Sequence, residues 1–127
     1  NVSVMAVHAE YLADAAAQIL PHAENATFGL HVVLNAEWEA LPWRPVLDPA
    51  TVPSLVTDAG TFLPMPADLL VNGFAVEEAL AEAEAQLDAL RRAGFQPSYL
   101  DEHCGVSWIS TELMHGLADL ARREGLL

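Results

Sequence analysis

Apolar and polar positions follow two different periods along the chain, and the changes of period mark its elements. "VSVMAV" (2–7) is a β-type apolar run. In residues 9–20, Leu12, Ala15, Ala16, Ile19 and Leu20 fall at helical spacing, and Pro21 follows as a stop. "TFGLHVVLN" (27–35) is rich in β-branched and aromatic residues and predicts a second strand. Residues 36–74 form a long connection punctuated by six prolines, from Pro42 to Pro66; connections of this length usually serve as lids or binding loops. "VEEALAEAEAQLDALRRAG" then puts Val76, Leu80, Ala83, Leu87 and Leu90 on one stripe. Acids crowd its start, Arg91 and Arg92 close it, and Gly94 supplies a left-handed cap. "PSYLDEH" (97–103) is a third strand. In "STELMHGLADLARREG", Ser110 caps a last helix in which Leu113, Leu117 and Leu120 pack.

The order β-α-β-loop-α-β-α implies an α/β fold of parallel β/α units joined by right-handed crossovers. Three strands close no barrel and leave both sheet edges open. The mean hydropathy is +0.25, with 53% hydrophobic residues, high for a soluble monomer of 127 residues. The chain also opens in a strand-like run, "NVSVMAV", without Met. A fragment whose buried faces belong against further elements would look like this, and so would an obligate homodimer; the fragment is the reading adopted.

Charge and cysteine content narrow the partners. A formal net charge of −13, with five arginines and no lysine, argues against nucleic acid and anionic membrane surfaces. A single cysteine excludes an intrachain disulfide, and no membrane-length apolar run or signal-like segment is present; the expectation is cytoplasmic.

Strand alternation places the chemistry. Gly29, His31, Val33 and Asn35 share one face of the second strand, and Tyr99, Asp101 and His103 share one face of the third. Asp101 and His103 lie at the carboxyl end of their strand, where α/β proteins gather active sites. Two histidines on neighbouring strands with a carboxylate beside one of them suit Zn²⁺ and other first-row ions. A core histidine and an Asp–His hydrogen bond at a loop fit the same spacing, and spacing alone does not separate the two. Cys104, adjacent to His103, reads as a packed or loop thiol, and Glu37 and Glu39 as exposed acids of an acidic chain. No phosphate-loop or dinucleotide motif occurs.

Three segments in order, "GLHVVLNAEWEALPWRPVL", "VPSLVTDAGTF" and "PSYLDEHCGV", resemble the YdjC-like carbohydrate (chitooligosaccharide) deacetylases over nearly the whole chain. The resemblance implies part of a deformed (β/α) TIM-like barrel. It also implies a divalent metal, Mg or Zn, held by one Asp and two His. His31 and His103 match the two metal histidines, and Asp101 matches the acid of the "D-x-H" strand as an active-site group. Asn35, Trp38, Trp43 and Tyr99 become the expected contacts to an N-acetylated oligosaccharide. The metal Asp of the family sits in a "DD-x-G" motif that does not occur here, and its general-acid His would lie beyond Leu127, so the chain alone is expected to be inactive. Tyr99 stands where many members have His, and Glu102 where they have Ser, which leaves the substrate open. Two rivals are retained: another metal-dependent barrel hydrolase, and a non-catalytic carbohydrate-binding or assembly module in which Trp38 and Trp43 stack on sugar rings.

Overall fold

The computed structural model describes residues 1–127. Three strands, β1 (Val2–Val4), β2 (Phe28–Val32) and β3 (Pro97–Glu102), form one parallel sheet in the order β1-β2-β3. Helix α1 (Ala9–Ile19) links the first two strands. Helices α2 (Pro66–Asn72) and α3 (Val76–Arg92) lie between β2 and β3, and α4 (Thr111–Arg123) follows β3. This is the α/β order that the periodicity predicts, with one helix added. At β3, Leu127 donates to the Ser98 carbonyl and accepts from the Leu100 amide, which continues the ladder on that side.

The two sheet faces separate by composition. Phe28, Leu30 and Val32 are buried and join Leu87, Leu90, Phe95, Leu113, Leu117 and Leu120 in a single apolar core. The opposite face carries Ser3, Gly29, His31, Tyr99 and Asp101, in register as Ser3–Gly29–Tyr99 and His31–Asp101. An irregularity between Phe28 and Gly29 lets Ser98 slip, which brings Tyr99 rather than Ser98 opposite Gly29. A Cβ on Gly29 would meet the Tyr99 ring at 2.2 Å, so the tyrosine lies flat across a residue that has no side chain.

Several boundaries differ from the sequence expectation, each for a local reason. The strand expected over 27–35 ends at Val32 because the Val33 backbone turns to a side chain: its N–H donates to Gln86 Oε1 and its carbonyl accepts from Gln86 Nε2. Glu82, one turn earlier on α3, accepts from the Val46 and Leu47 amides, and Glu78 accepts from the Ser54 amide and hydroxyl. The face of α3 that bears these residues therefore organises the long connection, and Glu82 and Gln86 are fully buried. Burial pushes the Glu82 carboxyl above its ordinary value, against the hydrogen bonds from Leu47, Gln86 and Val46. The stretch expected to be loop through residue 74 contains α2, where Pro66 begins the helix rather than interrupting it and Gly73 ends it at φ 70°.

The last helix keeps its expected cap. Ser110 accepts from the Leu113 amide, and Leu113, Leu117 and Leu120 are buried.

Candidate functional site

The polar face of the sheet holds a continuous hydrogen-bonded chain. Asp101 Oδ1 lies 2.6 Å from His31 Nδ1, and Ser3 Oγ donates to Asp101 Oδ2 at 2.6 Å. With the serine proton committed to the carboxylate, the Tyr99 hydroxyl donates to Ser3 Oγ across 3.0 Å. An ionised Asp101 is acceptor only, so His31 presents Nδ1–H to it and keeps the Nε2 lone pair outward. Each link follows from alternation on parallel strands: one residue from β1, one from β2 and two from β3.

A second histidine–carboxylate pair stands beside the first. His103 begins the turn that follows β3, and its Nε2 is 2.8 Å from Glu37 Oε2. Glu37 also accepts from Trp38 Nε1 at 2.8 Å and from Asn35 Nδ2 at 3.3 Å. Burial pulls the Glu37 carboxyl upward, but bonds from His103, its own backbone and Trp38, with the charge of His103, outweigh it and hold the group below the ordinary carboxylate value.

The two imidazoles meet edge to face, with centroids 5.5 Å apart and planes at 78°. Trp43 makes a T-shaped contact with His103, ring centroids 5.1 Å apart. Thus the residues singled out from sequence, His31, Asp101, His103, Asn35, Trp38, Trp43 and Tyr99, converge on one region. Their exposures differ. Asn35 is fully buried and Trp43 nearly so, whereas 63% of Trp38 is open to solvent. Trp43 is therefore a wall of the histidine pair, and Trp38 is the tryptophan with a free face. Asp101 has both oxygens engaged, so its position beside His31 is that of a holder of the imidazole.

Two participants escaped the sequence reading. Ser3 had a signal in the Val-Ser-Val alternation of β1, which puts it on the face of His31. Glu37 had none, since its approach to His103 depends on the path of the connection. That path is fixed by the Ala36 amide bonding the Leu63 carbonyl and by Asn35 Nδ2 bonding the Pro64 carbonyl. Cys104 is exposed, at φ 54°, and with Glu37 and His103 it offers donor atoms within 4.8 Å of one another. Glu102 points away and accepts from the Ser107 amide and hydroxyl, as strand alternation predicts.

Imidazole nitrogens are donors of the kind a divalent ion takes, while the group whose ligand atoms all lie within 4.8 Å of one another is Glu37, His103 and Cys104, without His31. Each histidine has one ring nitrogen held by a carboxylate and one left over, the arrangement in which protein imidazoles bind metals. Asn35 adds a buried Oδ1 with no hydrogen-bond partner in the same network. The largest cavity, about 740 Å³ between α1, α3 and residues 45–46, is lined mainly by alanines and contains none of these residues.

Parallel β/α units with histidine–carboxylate pairs at the carboxyl ends of the strands define an α/β chain with a candidate metal site. The chain belongs to the YdjC-like protein family, whose model matches residues 1–127. Among solved structures it is similar to a protein of Enterococcus faecalis V583 described as a candidate cellobiose-phosphate cleavage protein. The TM-score is 0.77 and the identity 24%, over 98% of this chain and 45% of that one. The likeness shows the shared fold, and the chain spans less than half the length of that neighbour. No curated protein matches the sequence. No helix is long and apolar enough to cross a membrane.

Proposed function

We propose that this chain supplies two histidine ligands, His31 and His103, to the divalent metal centre of a carbohydrate-processing hydrolase that removes acetyl groups from N-acetylated sugars. The observation that carries the reading is the pair of carboxylate-held imidazoles packed edge to face, with centroids 5.5 Å apart. Family membership supports it, as does the three-strand parallel sheet, which fits consecutive units of a TIM-like barrel.

His31 would bind through Nε2, and two imidazoles suit Zn²⁺ better than Mg²⁺, which prefers oxygen donors. When bound, such an ion polarises an amide carbonyl and lowers the pKa of water. The chain's own residues perform the supporting work. Asp101 holds the Nδ1 proton of His31 and fixes the ring plane. Ser3 occupies the second oxygen of Asp101 and is itself held by the Tyr99 hydroxyl, which keeps that carboxylate from turning. Trp43 closes one side of His103 against water, and Trp38 offers an open indole for a sugar ring.

The test is acetate release from N-acetylchitooligosaccharides by the full-length protein with added Zn²⁺ or Mg²⁺, beside His103→Ala. Metal-dependent release that the variant abolishes supports the reading. Metal-dependent cleavage of a phosphorylated disaccharide without acetate release would replace the substrate and keep the metal site. Sugar binding that is indifferent to chelators would favour a non-catalytic module.

A further inference from the structure

We propose that Glu37 is a positioning residue that fixes His103 as the Nε2–H tautomer and so presents Nδ1 as its metal-binding atom; this rests on the metal reading above. Three observations carry it. Glu37 Oε2 is 2.8 Å from His103 Nε2, close enough for a charge-assisted hydrogen bond. The carboxylate is itself held, by Trp38 Nε1 on Oε1 and by Asn35 Nδ2 on Oε2, so it is a fixed acceptor rather than a swinging one. Asn35 is anchored in turn by the Pro64 carbonyl at 3.1 Å, which ties the set to the far end of the connection.

The consequence is a pair of opposite tautomers. Asp101 takes the Nδ1 proton of His31 and leaves Nε2 free, whereas Glu37 takes the Nε2 proton of His103 and leaves Nδ1 free. Both pairs use a carboxylate to orient an imidazole, but the carboxylates come from different places, one from β3 and one from the connection after β2. Glu37 also lies within reach of a rival arrangement, in which Glu37, His103 and Cys104 are themselves the ligands. In that arrangement Glu37 gives its carboxylate to the ion in place of its hydrogen bond to His103 Nε2.

The experiment reads the tautomer directly, by ¹⁵N–¹H correlation of the histidine rings in the metal-free full-length protein at about pH 8, where imidazoles are mostly neutral. Wild type is expected to show His103 protonated at Nε2. Glu37→Ala is expected to give a mixture of tautomers and to weaken Zn²⁺ binding about ten- to hundredfold. Glu37→Gln, which retains an acceptor, is expected to recover part of both, and Glu39→Ala to change neither. A His103 spectrum unchanged in Glu37→Ala, or protonated at Nδ1 in wild type, overturns the proposal even if metal binds. Absence of Zn²⁺ binding by wild type with the tautomer effect intact overturns the metal reading and the ligand half of this proposal, and leaves Glu37 as holder of the ring. Zn²⁺ binding lost in Cys104→Ala would put the rival ligand set in its place.

Discussion

His31 and Asp101, directly opposite each other on adjacent parallel strands, share a 2.6 Å hydrogen bond that orients the imidazole. Neither residue lies next to the other in sequence. The strand register brings them together, and the slipped Ser98 sets that register. The bond determines which histidine nitrogen is available.

Asp101→Asn leaves one acceptor and one donor where two acceptors are required, by His31 Nδ1 and Ser3 Oγ. Zn²⁺ affinity of the full-length protein, measured by calorimetry, is expected to fall about ten- to hundredfold. Ser3→Ala removes only the outer bond, so its effect is expected to be smaller.

Gly29→Ala introduces a Cβ into space that the Tyr99 ring occupies, at 2.2 Å. The ring must leave, and with it the Tyr99–Ser3 hydrogen bond. A loss of about 1–3 kcal/mol in denaturant unfolding is expected, as for other overpacked sites. Gly29→Ala combined with Tyr99→Ala is expected to recover part of that loss, because the second change vacates the space.

Much of the fold was legible in the sequence because its elements follow simple periods. The β3 and α4 segments carry their own start and stop signals, Ser110 and the leucine stripe among them. The α3 stripe was legible only in part. Its apolar positions were read correctly, but Glu82 and Gln86 share the buried surface, and polar residues there looked like the solvated side of an amphipathic helix. Their partners are backbone groups at Val33, Val46 and Leu47, and no local pattern reveals a contact made across 35 or more residues. In the sequence Pro66 reads as a mark of loop, although proline at a first helical position costs no hydrogen bond. In the site, face alternation gave His31, Asp101 and His103, and the resemblance gave their roles. Glu37 reads as a surface acid because nothing within the connection shows where it returns.

Glu82 gives a stability prediction with a defined sign. Its Oε1 accepts from Val46 and Gln86, and its Oε2 from Leu47. Glu82→Ala leaves these donors without an acceptor in a buried site and is expected to cost about 2–4 kcal/mol.

The pH dependence follows from the raised carboxyl. As pH rises through the ordinary glutamate value, the unfolded chain releases the Glu82 proton while the native state retains it. The native state then binds more protons, so this group's contribution to stability falls with rising pH until the raised native value is passed. Below the ordinary value both states are protonated and the contribution is fully present. Denaturant midpoints across about pH 4 to 8 are expected to fall less steeply in Glu82→Gln, which cannot titrate, than in wild type. An equal slope in both would remove Glu82 as the source.

The most direct test of the central claim is Zn²⁺ binding by the full-length protein, set beside His31→Ala and His103→Ala. One site per chain is expected in wild type, with binding weakened at least a hundredfold in either variant and the fold intact by circular dichroism. Unchanged Zn²⁺ affinity in both variants would contradict it, and would leave the two imidazoles as a packed pair in a sheet whose chemistry lies elsewhere.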